Sequence, residues 1–241
     1  TDKMIKKLAI AFLLIQNTYS AAEAQVASIS PGANQTAAYF PLLKNKKIGL
    51  VVNITSTIGQ KLSVDSLVAA GFSPSKIFAP EHGFRGESSN GASIANNIDE
   101  KTGIPIISLY GKHLKPSADD LKGLDVVVFD IQDVGARFYT YISTLHYVME
   151  ACAENNIPLL VLDRPNPNGF YVDGPVLEPA FKSFIGMHPV PIVYGMTIGE
   201  YAQMINGEKW LKDGIQCNLN VIPVANYTHK DRYALPIKPS P

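Results

Sequence analysis

Glu81 and His82 stand side by side in residues 78–87, which read FAPEHGFRGE. A carboxylate and an imidazole can both move protons near neutral pH. Gly83 and Gly86 flank Arg85, so the backbone there can bend tightly or approach a ligand closely. The short apolar run before them, Lys76-Ile77-Phe78, reads as the end of a buried strand. An acid, an imidazole and a guanidinium on a glycine-hinged loop at a strand's exit suit an α/β catalytic site. The plainer alternative is a polar surface turn in which the Glu and the Arg pair with each other.

The elements that must hold this loop follow from periodicity. Residues 47–53, 77–79, 104–109, 125–130 and 158–163 are short apolar runs, the mark of strands buried on both faces. Pro105 places the third of them near an edge. Residues 63–71 predict a helix, with Val64, Leu67 and Val68 on one side and Gly71 just past its end. Residues 117–121 predict a short helix capped by Ser117. Leu145, Val148, Met149 and Cys152 give helical spacing over 142–155, residues 197–205 form an amphipathic helix, and 217–222 alternate as a last strand. Residues 28–46 have no clean period and read as a leader and a first helix. Alternating strands and helices mean right-handed crossovers and a mainly parallel α/β sheet with helices on both faces.

In such a sheet ligands sit outside the carboxyl ends of the strands. The first strand delivers Asn53 there. The second delivers Glu81, His82 and Arg85. The fourth delivers Asp130, Gln132, Asp133, Arg137, Tyr139 and Tyr141, and the fifth Asp163, Arg164, Asn166 and Asn168. An Asp after one strand is often only a helix cap. Four polar clusters at one edge predict a cleft.

Several chemistries are excluded. Lys+Arg and Asp+Glu both number 21, so there is no basic excess for nucleic acid. No GxGxxG opens a helix after the first strand and no P-loop is present, so nucleotide binding has no support. No Gly-x-Ser-x-Gly elbow marks a serine hydrolase. The five histidines lack metal-ligand spacing, and no cofactor is implied. His146 falls within a helix and reads as structural. His188 lies in a Pro-rich loop, either lining the cleft or solvated. Cys152 reads as a buried thiol.

Carboxylates, amides, arginines and tyrosines remain, a mixture suited to a sugar. Tyr139, Tyr141 or Tyr194 can pack on a ring face, and Arg85, Arg137 or Arg164 could meet an anionic substituent. Glycoside cleavage needs one carboxyl group to protonate the leaving oxygen and a second group to activate water or attack. Glu81 is the candidate acid. Asp130, Asp133 and Asp163 are candidates for the second role.

The motifs PEHGFRG (80–86), FDIQDVGARFYTY (129–141), LDRPNPNG (162–169), DGPVL (173–177) and PIVYGMTIGE (191–200) together resemble the NamZ-type exo-β-N-acetylmuramidases, from about residue 47 to the end of the chain. The resemblance implies release of terminal β-linked N-acetylmuramic acid from the non-reducing end of peptidoglycan fragments. It implies a Rossmann-like domain over residues 47–234, an auxiliary C-terminal domain, and a cleft between the two. It places the catalytic acid at Glu81 and gives an arginine the lactyl carboxylate to bind. Residues 235–241 are Pro-rich and read as the start of a linker to a second domain that this sequence lacks.

Residues 1–24 read as a secretory signal: Lys6 and Lys7, an apolar run from Leu8 to Ile15, then Ala22-Glu23-Ala24 before Gln25. The expected location is therefore periplasmic or secreted, with no membrane association once the signal is cleaved. Two rival readings remain. One is a non-catalytic peptidoglycan- or carbohydrate-binding domain, which would not need Glu81. The other is an amidase or esterase on the same fold.

Overall fold

The computed structural model describes residues 28–81, 83–85 and 97–239. The expected signal at 1–24, His82, Gly86 and Glu87 lie outside the described residues. Nine strands are described: β1 (Ile48–Val52), β2 (Thr57–Ile58), β3 (Lys61–Leu62), β4 (Pro74–Ala79), β5 (Asn97–Ile98), β6 (Pro105–Ser108), β7 (Val126–Asp130), β8 (Leu159–Leu162) and β9 (Leu219–Ile222). The helices are α1 (Thr36–Leu43), α2 (Ser63–Ala69), α3 (Ala118–Leu121), α4 (Tyr141–Glu154) and α5 (Ile198–Gly207).

Seven strands form one sheet in the order β5-β6-β4-β1-β7-β8-β9. All neighbours run parallel except β5, which pairs antiparallel with β6 at the edge. The parallel strands, counted along the chain, lie in the lateral order 3-2-1-4-5-6. This is the doubly wound Rossmann arrangement, and its winding reverses between β1 and β7. The expected α/β sheet is thus present. Pro105 opens β6, which lies second from the edge, with β5 outside it.

Each strand alternates its side chains between two cores, as the two-residue repeat requires. Ile48, Leu50 and Val52 of β1 join Ile77, Val126, Val128, Leu160 and Leu162 on one face. Val51 joins Phe78, Val127, Phe129, Leu159 and Val161 on the other. Gly49 shares that second face, where a Cβ would lie 2.7 Å from Leu124 and 3.0 Å from the Phe78 ring. The absent side chain makes room for the phenylalanine.

Helix α4 buries Ile142, Leu145, Val148, Met149 and Cys152 against the second core. Cys152 and Cys217 are both buried free thiols. Ser117 caps α3 and Thr197 caps α5, each in a reciprocal capping box with the residue three further on. The last turn of α2 closes on Gly71, whose φ of +86° is the left-handed conformation that ends a helix.

Candidate functional site

The reversal point between β1 and β7 opens into a cavity of about 200 Å³. Its walls come from the turn after β1 (Asn53, Ile54, Thr55), the exit of β4 (Glu81, Gly83) and the long loop after β7 (Gln132, Val134, and residues 138–141). Leu235, Ile237, Lys238 and Pro239 of the C-terminal segment complete it. Five expected site residues therefore meet here: Asn53, Glu81, Gln132, Tyr139 and Tyr141.

The β1 turn is built by its own side chains. Asn53 N–H donates to Ser56 Oγ (2.9 Å), and Ser56 N–H donates to Asn53 O (3.0 Å). The Ser56 hydroxyl also donates to the Asp130 carbonyl, tying the turn to the end of β7. Asn53 Oδ1 accepts from Thr55 N (2.9 Å) and from Thr55 Oγ1 (2.5 Å). Thr55 Oγ1 in turn accepts from Gln132 N at 3.0 Å. The antiparallel β2–β3 hairpin follows this turn before α2 begins.

Glu81 is half-buried and is the one carboxylate among the described residues that lines the cavity. The Tyr110 hydroxyl, at the exit of β6, hydrogen-bonds to it; the charge of Glu81 and that bond raise the phenol's pKa. Burial pushes Tyr141 up to about 12, so its hydroxyl keeps its proton at neutral pH, while a hydrogen bond with Asn53 pulls the other way. Phe138 and Tyr139 are 57% and 41% exposed and form an aromatic rim. Such faces pack well on the C–H side of a sugar ring. Phe138, Thr55 and Val134 belong to the cavity although sequence reasoning did not single them out. The run of Phe138 and Tyr139 beside Tyr141 was the available signal.

The other candidates lie elsewhere, each for a visible reason. Asp130 is buried under the sheet end, where Oδ1 accepts from Arg164 Nε at 2.7 Å and Arg164 also donates to Thr57 O. Asp163 faces the start of α5, accepting from Gly199 N (2.7 Å), Thr197 Oγ1 (2.8 Å) and Arg164 N (2.9 Å). Burial pushes it up to about 6 against those donors. Asp133 accepts from Gly135 N at 2.7 Å and from the buried Tyr194 hydroxyl, and burial pushes it up to about 6 as well. Tyr194 is thus a brace and not a ring platform.

None of the three candidate arginines lines the cavity. Arg85 does not pair with Glu81. It is held by Asp99 (2.6 and 2.8 Å) and Asp65 (3.1 Å), which raise its pKa and neutralise it. Arg137 is buried and donates to the carbonyls of Pro175 and Val190. Lys238 is the cation that the described cavity residues contain. His188 neither lines the cavity nor meets solvent. It is buried, 2.9 Å from His146 and 3.0 Å from the Tyr201 hydroxyl, and burial pushes it down to about 3. His146 lies buried within α4, the helix in which the sequence places it.

Asn166 fixes the loop that carries the tyrosines. Its Nδ2 donates to Met196 O (2.7 Å) and its Oδ1 accepts from Asn168 N (2.8 Å). Gly135 packs directly on it: φ is +76°, and a Cβ there would lie 2.1 Å from Asn166 Oδ1. Gly135→Ala should therefore cost about 2–4 kcal/mol, from left-handed strain plus overpacking. Urea denaturation measures this, and a loss below 1 kcal/mol would show that the loop shifts freely.

The chain matches the family model "Exo-beta-N-acetylmuramidase NamZ, N-terminal" over residues 48–241. It is 46% identical over 210 residues to the peptidoglycan beta-N-acetylmuramidase NamZ of Bacillus subtilis (strain 168), covering 84% of this chain and 50% of that protein. Two crystal structures of DUF1343 family proteins from Bacteroides fragilis NCTC 9343 share the fold. One superposes with a TM-score of 0.81 at 50% identity, covering 89% of this chain and 57% of the other. The second has a TM-score of 0.78 at 40% identity, covering 85% and 52%. The chain thus spans about half the length of the relatives it matches.

Proposed function

This chain belongs to the exo-beta-N-acetylmuramidase NamZ family through that family's N-terminal domain, and on that premise we propose that it is the Glu81-bearing half of a glycoside hydrolase. The reaction is removal of terminal β-linked N-acetylmuramic acid from the non-reducing end of peptidoglycan fragments. The observation that supports it most is the position of Glu81, the cavity's described carboxylate, at the reversal point of the sheet.

Its role is general acid: the carboxyl proton passes to the glycosidic oxygen as the C1–O bond breaks. Tyr110 orients the carboxyl group, and the Phe138–Tyr139 rim holds the sugar ring. Asp130 and Asp163 are tied into the interior, so the group that activates water or attacks C1 comes from outside these two. The substrate lies in the cell wall, and we place the protein outside the cytoplasm accordingly. No helix among the described residues is long and apolar enough to cross a membrane.

The reaction is tested by incubating the protein, as its gene encodes it, with a muramic-acid-terminated disaccharide and identifying the products. Free N-acetylmuramic acid is the expected product. Release of a peptide or an acyl group would make it an amidase or esterase. Saturable binding without turnover would make it a binding domain.

A further inference from the structure

Among the described residues that line the cavity, two carry charge, Glu81 and Lys238. They belong to different walls: Glu81 to the exit of β4, Lys238 to the C-terminal segment. The arginines expected at the site are engaged elsewhere. Asp99 and Asp65 hold Arg85, Asp130 holds Arg164, and the carbonyls of Pro175 and Val190 hold Arg137. Among the described residues the lysines held in ion pairs are Lys101 and Lys115. Lys238 takes part in none of these pairs, so no described carboxylate neutralises it.

The segment that carries Lys238 is placed by its own sequence, Leu235-Pro236-Ile237-Lys238-Pro239. Each proline fixes its own φ and biases the residue before it toward an extended backbone, which restricts Leu235 and Lys238. Burial then alternates: Leu235 and Ile237 are half-buried, and Pro236 and Lys238 are exposed. Leu235 and Ile237 line the cavity, so apolar packing holds the segment against it. Lys238 lines the cavity and is exposed, which puts it at the mouth. A lysine brings a compact, hydrated charge with three rotatable donors on a flexible stem.

A cation on one wall and a carboxyl group on another give the cavity a fixed polarity. A neutral sugar gains nothing from it. A sugar with an anionic substituent gains by placing that substituent at the lysine. N-acetylmuramic acid differs from N-acetylglucosamine by a lactyl ether that ends in a carboxylate. We propose that Lys238 is the residue that selects the acidic sugar, its ammonium meeting the lactyl carboxylate at the mouth of the cavity. The proposal rests on the glycosidase reading and deepens it. It names the substituent that the site recognises and moves that role from the arginines to a lysine.

The test uses the protein as its gene encodes it and two matched nitrophenyl N-acetyl-β-muramides. One carries the free lactyl carboxylate, the other the isosteric lactyl carboxamide. The wild-type protein should prefer the acid by about 10-fold or more in kcat/KM, the effect of one charge-assisted hydrogen bond. The difference should lie mostly in KM, because the carboxylate is held equally before and during bond cleavage. It should shrink as salt rises, since an exposed pair is screened. Lys238 is exposed, so its variants should fold. Lys238→Arg keeps the charge and should keep the preference. Lys238→Met should bring the two substrates within about 3-fold of each other by removing the charged donor, and Lys238→Glu should favour the carboxamide. Equal turnover of acid and carboxamide by wild type, or a preference for the acid that survives Lys238→Glu, would overturn the assignment. Turnover of neither substrate by wild type is a failure of the hydrolase reading. Calorimetric titration with N-acetylmuramic acid and its carboxamide then decides: a preference of about 10-fold or more for the acid that Lys238→Glu abolishes upholds the role of Lys238, and equal affinity, or a preference that the variant retains, removes it.

Discussion

Glu81→Gln should lower hydrolysis of a muramic-acid-terminated disaccharide by about 10²–10⁴-fold, the contribution of a positioned general acid. The amide is isosteric and the side chain is only half-buried, so the fold should hold. Steady-state kinetics should show the loss in kcat, with KM little changed, because the proton is needed only as the bond breaks. The leaving group provides the diagnostic. A dinitrophenolate departs without protonation, so the same variant should lose much less on a dinitrophenyl muramide. Equal losses on both substrates would mean that Glu81 positions the sugar and does not protonate it. Unchanged turnover on both would remove it from the chemistry.

The second large effect concerns stability. Arg164 and Asp130 form an ion pair at 2.7 Å whose side chains are 4% and 1% exposed. Arg164→Met removes the cation and leaves a carboxylate in the interior. Breaking one side of such a pair costs about 3–5 kcal/mol, a large part of the stability of an ordinary domain. Asp130→Asn/Arg164→Met should recover much of it, since the uncompensated charge is gone. Urea unfolding of the two variants measures this. A single variant within 1 kcal/mol of wild type would mean that Asp130 is already relieved in some other way.

That ion pair also marks where sequence reading stopped. The strands were legible because each is a short apolar run between polar ends, and parallel strands covered on both faces admit little else. Helix α5 and the Ser117 cap were legible from local pattern in the same way. The tips were not, because a polar residue after a strand can turn outward to a ligand or inward to a helix end or a partner charge. Asn53, Glu81 and Gln132 turn to the cavity. Asp163 turns to the α5 amides, and Asp130 and Arg164 turn to each other. Nothing in the local sequence separates these outcomes, since each depends on an element distant in the chain. Phe138 stands in one aromatic run with the expected Tyr139 and Tyr141, and it is its exposure that marks it as part of the rim. Arg85 misled because its acidic partners, Asp65 and Asp99, lie in other segments.

The β2–β3 hairpin separates this crevice from the nucleotide sites that share its strand order. In those folds the chain passes from the first strand through a tight glycine turn into a helix, whose unpaired amides aim positive potential at a phosphate. Here two short strands intervene, and among the described residues none of α2 reaches the cavity. The pull on a polyanion is displaced, and Asn53, Thr55 and Gln132 line the opening beside Glu81 and Lys238. One scaffold can thus give up phosphate capture through a detour of a few residues, with its sheet left intact.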